Sequence, residues 1–207
     1  MIVIANVSGF DLPIEEIKGY ISDLMVQIGE DVTIDGIPSK AMLADVERIY
    51  SNLEQNMKQI VLLYETEVER GSIIIFDEGK VAIVYTVPND DIVSLSAKIV
   101  VCNSKPTVWR YEETFDEDPS STKFGDIKTK GLVIKGSHDG FIERLTAREK
   151  QMDVGLLHDA ILRFITVTSA DIVLGDTVKY KNKQYKVIDA DDITDGILVI
   201  QLANVRI

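Results

Sequence analysis

The stretch Asp189-Ala190-Asp191-Asp192-Ile193-Thr194-Asp195-Gly196 comes nearest to a chemical signature in this chain of 207 residues. Alternating aspartates followed by a glycine have the outline of a calcium loop, in which successive oxygens wrap one cation. The pattern fails at its fifth position, where an oxygen ligand is required and Ile193 stands, and no closing glutamate follows. Turn chemistry, with carboxylates accepting bonds from nearby backbone N–H groups, is therefore the expectation. Pro88-Asn89-Asp90-Asp91 is a similar acidic stretch and also reads as a turn.

Other constellations fall short as well. His138 and His158 are the only histidines, and neither has a metal-ligand partner at helical or turn spacing. With Cys102 the only cysteine, no zinc set can be assembled from them. Gly175-Asp176-Thr177 opens a strand rather than a helix, so it is not a phosphate loop. Val7-Ser8-Gly9 lacks the leading glycine of a nucleophile elbow. Cys102 closes the apolar run Ile99-Val100-Val101-Cys102 and reads as a buried small hydrophobe in a reducing compartment. The sequence assigns no catalytic, cofactor-binding or metal residue, and no enzyme is expected.

Composition bounds the class. A hydrophobic fraction of 45% and a charged fraction of 27% suit a folded, soluble chain of one large or two small domains. No apolar run is long enough to span a bilayer as a helix, so no membrane partner is expected. The apolar start, Met1 to Ser8, has no basic flank and reads as a strand rather than a secretion signal. A net charge of −12 repels phosphate backbones and disfavours generic nucleic-acid binding.

The elements that would position any site are mostly strands. Asp11 is placed to cap a helix with Pro13, Glu15 and Glu16 in its first turn and an apolar stripe of Ile14, Ile17, Ile21 and Leu24. Val32 and Ile34 alternate with polar residues before the turn dipeptide Asp35-Gly36, and a return strand runs from about Ile37 to Ala44. Leu43, Val46, Tyr50, Leu53, Met57 and Ile60 step at helical spacing, so Asp45 to Lys58 reads as an amphipathic helix or a long structured loop. Ile60 to Tyr64 and Leu95 to Cys102 read as buried strands.

Two hairpins repeat one pattern. Gly71 to Val84 and Gly175 to Ile188 each show a turn glycine, an alternating strand, a polar tip and a second alternating strand. At a spacing of 104 residues Ile74 matches Val178, Phe76 matches Tyr180, Val81 matches Tyr185 and Ile83 matches Val187. The same spacing aligns Asp35-Gly36 with Asp139-Gly140, Ile37 with Phe141, Lys40 with Arg144, and Ile60 to Leu63 with Phe164 to Val167. We read a tandem duplication. The fold class is mainly β with minor α: two small β-barrel or rolled-sheet domains, residues 1–103 with an N-terminal helix and residues 104–207, joined at Asn103-Ser104-Lys105-Pro106. An exposed acidic loop is expected from Glu112 to Thr122.

Ile172 to Val187 reads I-x-x-G-D-x-V-x-Y-x-x-K-x-Y-x-V and is followed by a last strand, Gly196 to Leu202. This run resembles the C-terminal signature of the small head–tail joining proteins of tailed bacteriophages, the connector, stopper and related minor virion proteins. Ile60 to Asn103 is a weaker copy. The resemblance implies a compact β-barrel, a non-enzymatic role in the virion and no active site. It implies self-association into a cyclic oligomer, either a sixfold ring or a trimer of duplicated chains with pseudo-sixfold symmetry, made in the host cytoplasm. The expected partners are other phage head or tail proteins, with DNA passing an acidic wall without specific binding. The contact elements expected from exposure are the tips Asp77–Gly79 and Lys181–Lys183, the Asp45–Lys58 segment and the loop near Asp116. The alternative is an SH3-like or OB-like module that recruits a peptide or nucleic acid, and it requires an aromatic platform from Tyr180, Tyr185 and Trp109-Arg110-Tyr111.

Overall fold

The computed structural model describes residues 13–45, 56–91, 93–115, 120, 122, 127–152, 155–192 and 194–205. The opening strand, the Asp11 cap and the centre of the Asp45–Lys58 segment lie outside them. Helix α1 (Ile14–Ile28) carries Glu15 and Glu16 in its first turn, where they complement the helix dipole. Only Met25 is fully buried on it; Ile17, Ile21 and Leu24 are half-buried and Ile14 is exposed. The helix packs against β2 (Ile37–Asp45) and β3 (Met57–Leu63).

The first sheet contains β1 (Glu30–Ile34), β2, β3, β4 (Ile73–Phe76), β5 (Val81–Val84), β6 (Asn89–Asp91) and β7 (Ser94–Val101). Its order is β3-β2-β1-β4-β5-β7-β6, and β3 also pairs with β7. That extra pairing closes a six-strand barrel and removes the free edges of an open sheet. Val32, Ile34, Ile60, Leu62, Ile74 and Ile99 fill its interior. Two expectations are corrected here. Leu43 and Ile60, read as one helical seam, face each other across the β2–β3 ladder. Asn89 to Asp91 is a short exposed strand paired with Ser94 to Ser96 rather than a turn.

The second sheet contains β8 (Thr107–Phe115), β9 (Ile127–Ser137), β10 (Phe141–Arg144), β11 (Leu162–Val167), β12 (Thr177–Tyr180), β13 (Lys183–Asp191) and β14 (Ile197–Asn204), in the order β10-β11-β14-β13-β12-β8-β9. It follows the same circuit, because β9 and β10 together take the place of β2. Ser104 bridges Gly140 as Glu30 pairs with Ala41, and Thr107 pairs with Ser137 as Thr33 pairs with Pro38. All strands of the first sheet precede Asn103 and all strands of the second follow Pro106. The splice is tied down, since the Asn103 side chain exchanges two 2.8 Å hydrogen bonds with the backbone of Ile142.

The likeness of the two halves extends to irregular features, which generic barrel formation does not demand. At one corner the Gly71 N–H donates to the Val84 carbonyl and the Ser72 carbonyl accepts from the Val84 N–H. At the other, Gly175, Asp176 and Val187 make the same two bonds. Both glycines hold φ near +90°, a region in which a Cβ is strained. Beyond each corner lies the same bulge: the N–H groups of Tyr85 and Thr86 both donate to the Lys98 carbonyl, and the second sheet shifts register between Val187 and Asp189.

The single spacing of 104 does not survive. It holds for β3 and β4, but the first hairpin has a three-residue tip, Asp77-Glu78-Gly79, closed by the Phe76 N–H on the Lys80 carbonyl, and the second a two-residue tip, Lys181-Asn182, with both residues at positive φ. Beyond the tips the spacing is 103, so Val84–Ile99 corresponds to Val187–Leu202 and Ile83–Val100 to Lys186–Ala203. Tyr185 therefore matches Ala82, and Val187 matches Val84. Asp139-Gly140 closes no hairpin, unlike Asp35-Gly36, and Phe141 and Arg144 correspond to Met42 and Asp45 rather than to Ile37 and Lys40.

Candidate functional site

Three surfaces stand out: the face joining the barrels, an open cleft and a projecting arm. Met57, Ile83 and Val100 point out of the first barrel yet are buried, because they pack on Phe141, Ile165 and Ile197 from the outside of the second. Tyr85 and Cys102 flank one side of this cluster and Val167 and Val199 the other. Cys102, expected to be buried, is half-buried against this cluster, and desolvation pushes its thiol up to about 12. Backbones meet at the edge of the cluster. A Cβ on Gly196 would lie 2.0 Å from the Arg70 carbonyl oxygen, and one on Gly71 would lie 2.4 Å from that of Gly196.

The cleft, about 680 Å³, lies on the second barrel. Ile161, Ile188 and Ala203 give it an apolar floor, and Lys150, Lys186 and His158 stand at its rim. Lys150 comes from α2 (Ala147–Met152). Before that helix, the Thr146 Oγ1 accepts from the Glu149 N–H, and the Glu149 carboxylate accepts from the Thr146 N–H and hydroxyl. This capping box holds the Glu149 carboxyl below the usual carboxylate range. Lys150 Nζ donates to the His158 carbonyl at 3.2 Å.

The arm is β8 and β9 continued beyond the barrel. Where the first barrel turns through Asp35-Gly36, the second extends a ladder out to the pair Phe115–Ile127. The predicted acidic loop begins inside this strand, and its centre lies outside the described residues. On one face Tyr111 and Leu132 sit side by side next to Trp109 and Ile134, and Tyr111, Leu132 and Ile134 are each about half exposed. β9 pairs with β8 alone among the described strands, leaving its outer edge open. The base is anchored by Arg110, whose Nε and Nη2 each donate to Asp176 at 2.9 Å. Asp176 is only 2% exposed and also accepts from the Val173 N–H. The two carboxylates Asp176 and Asp171 raise the Arg110 pKa further above its ordinary value.

The remaining sequence candidates separate. Asp189 and Asp191 belong to β13, and Asp189 Oδ2 accepts from Gln201 Nε2 at 2.7 Å. Ile193 is not among the described residues, and no cluster of His, Cys, Asp or Glu suited to a metal occurs among those that are. Tyr185 is a core residue and Tyr180 packs against that core, while Arg110 is held by carboxylates. These side chains do not form one stacking platform. His138 is half-buried, which lowers its pKa, and His158 lies at the cleft. The tips Asp77–Gly79 and Lys181–Lys183 are exposed, as expected. The barrel–barrel face was missed by sequence reading; its signals were unbroken apolar runs, Val81 to Val84, Ile99 to Cys102 and Ile197 to Ile200, where alternation predicts a polar outward residue. No known protein family matches the sequence, and no curated protein does.

Proposed function

We propose that this chain is a non-enzymatic assembly component of a tailed-phage particle, of the head–tail joining kind, and acts by forming a ring. The observation that carries the reading is the way the two related barrels pack: one face of the first meets a different face of the second. Contacts of this head-to-tail kind repeat and close into rings when the rotation allows, whereas self-complementary contacts stop at pairs. Three duplicated chains then supply six barrels. The arm, with its half-exposed apolar face and open edge, suits contact with neighbouring head or tail proteins. The acidic net charge suits a wall along which DNA slides without sticking.

Native mass by light scattering, with negative-stain images of the same peak, tests the reading. Closed rings of three or six chains are the expected result. A monomer at every accessible concentration that instead shifts on adding RNA or a peptide would replace it with the binding-module alternative.

A further inference from the structure

The open cleft of the second barrel occupies the same place on its ring as the buried docking face of the first. The correspondence is residue by residue. Met57, Ile83, Tyr85, Val100 and Cys102, which face the second barrel, become Ile161, Lys186, Ile188, Ala203 and Val205, all of which line the cleft. The backbone contact has its counterpart too. Arg70 and Gly71, pressed against Gly196, correspond to Leu174 and Gly175; Leu174 is 69% exposed, and a Cβ on Gly175 would meet nothing within 4 Å. A surface of the type that is filled within the chain is thus presented open at its far end.

The complementary face is repeated as well. Phe141, Ile165 and Ile197 correspond to Met42, Val61 and Ser94 on β2, β3 and β7, and Val167 and Val199 correspond to Leu63 and Ser96. All five first-barrel positions are part-exposed. Helix α1, which the second half does not repeat, packs against β2 and β3. We propose that the cleft of one copy receives the β2–β3–β7 face of the first barrel of the next copy. The proposal rests on the ring reading and names the two faces that make the ring.

Departures from an exact repeat fit a contact between chains rather than within one. Serines stand at two of the five complementary positions, and Lys186 replaces Ile83, so the face is more polar than the internal one. Obligate contacts are the more apolar class. Charge is complementary: Lys186 is exposed and has no acidic partner among the described residues, and Lys150 spends its hydrogen bond on a carbonyl. The complementary face is bordered by exposed Asp90 on β6, which pairs with Ser94 to Ser96. Asp159, the only carboxylate on the cleft lining among the described residues, has an interaction of its own. Val93 occupies the place of Gly196, so the close glycine contact is not repeated.

The test places a photo-crosslinking amino acid at Leu174 of the full chain and maps the products by mass spectrometry. It is paired with native mass of L174D, K186E and S94R, all at exposed or part-exposed positions, with melting temperature as the check on folding. Intermolecular crosslinks to peptides containing Met42, Val61 or Ser94 are expected, with assembly weakened about tenfold or more by each variant. Rings that persist in all three variants, with crosslinks elsewhere, would overturn the face assignment and leave ring formation standing. A wild type that neither assembles nor crosslinks between chains would overturn both. Dimers or open filaments crosslinked at the named faces would support the assignment while removing the ring.

Discussion

The two barrels share a circuit, a corner and a bulge, yet differ at the positions that meet the outside. Ile83 and Lys186 occupy one place on the ring; the first is covered by a neighbouring barrel and the second borders an open cleft. Ser72 and Asp176 occupy one corner. Ser72 accepts a bond from the Glu69 N–H, and Asp176 accepts the equivalent bond from Val173 and also holds Arg110 at the base of the arm. A two-residue turn in one barrel is the root of an arm in the other. Closed ladders tolerate such changes because a turn or an outward side chain alters no pairing within the ring. The ring is thus a fixed frame on which contact surfaces diverge.

Matched substitutions test that contrast. The largest difference is expected at the two positive-φ glycines, Gly196 and Gly175. Gly196→Ala should cost about 4 kcal/mol, since backbone strain adds to a clash with Arg70; Gly175→Ala should cost only the strain, about 1 kcal/mol. Urea denaturation measures both, and equal losses would mean that the barrels do not press together there. Ile83→Ala should cost about 3 kcal/mol through the cavity left at the barrel–barrel face, against about 0.5 kcal/mol or less for Lys186→Ala in the dissociated chain.

At the corners, Asp176→Ala leaves Arg110 without its main partner and should cost about 3 kcal/mol, whereas Ser72→Ala removes one neutral hydrogen bond, worth about 1 kcal/mol. Limited proteolysis should cut the Asp176→Ala arm sooner than the wild type. The Thr146→Ala change, which breaks the capping box at one wall of the cleft, should cost about 1 kcal/mol by thermal melting.

Cys102 reports on the barrel–barrel face through its ionisation. Its folded pKa, about 12, lies above the ordinary 9.0, so the thiol's contribution to stability is complete below pH 9 and is lost as pH rises towards 12. Cys102→Ala should flatten that part of the stability profile. At pH 8 the native thiol should react slowly with maleimide, and Ile83→Ala should speed the reaction by opening the face.

Much of the frame is legible in the sequence. Period-two alternation located both hairpins, and Gly71 and Gly175 marked the corners because positive φ there needs glycine. Asp35-Gly36 marked a true two-residue turn with both residues at positive φ. Alternation could not count a hairpin tip, and a one-residue difference between tips moved the second strand of the match by one place. Nor could helical spacing be told from strand pairing at Leu43 and Ile60, since a three–four rhythm arises by chance where two strands face each other.

The local chain therefore determined the strands, the tight turns and the existence of a repeat, because these depend on side-chain alternation and on the backbone freedom of single residues. Tertiary structure alone decided that β3 closes on β7, that Arg110 reaches Asp176, and that Ile83 is buried while its counterpart Lys186 is not. Those outcomes join residues far apart in sequence. A strand's pattern specifies which face is apolar, but not which edge it pairs with or what covers its other side.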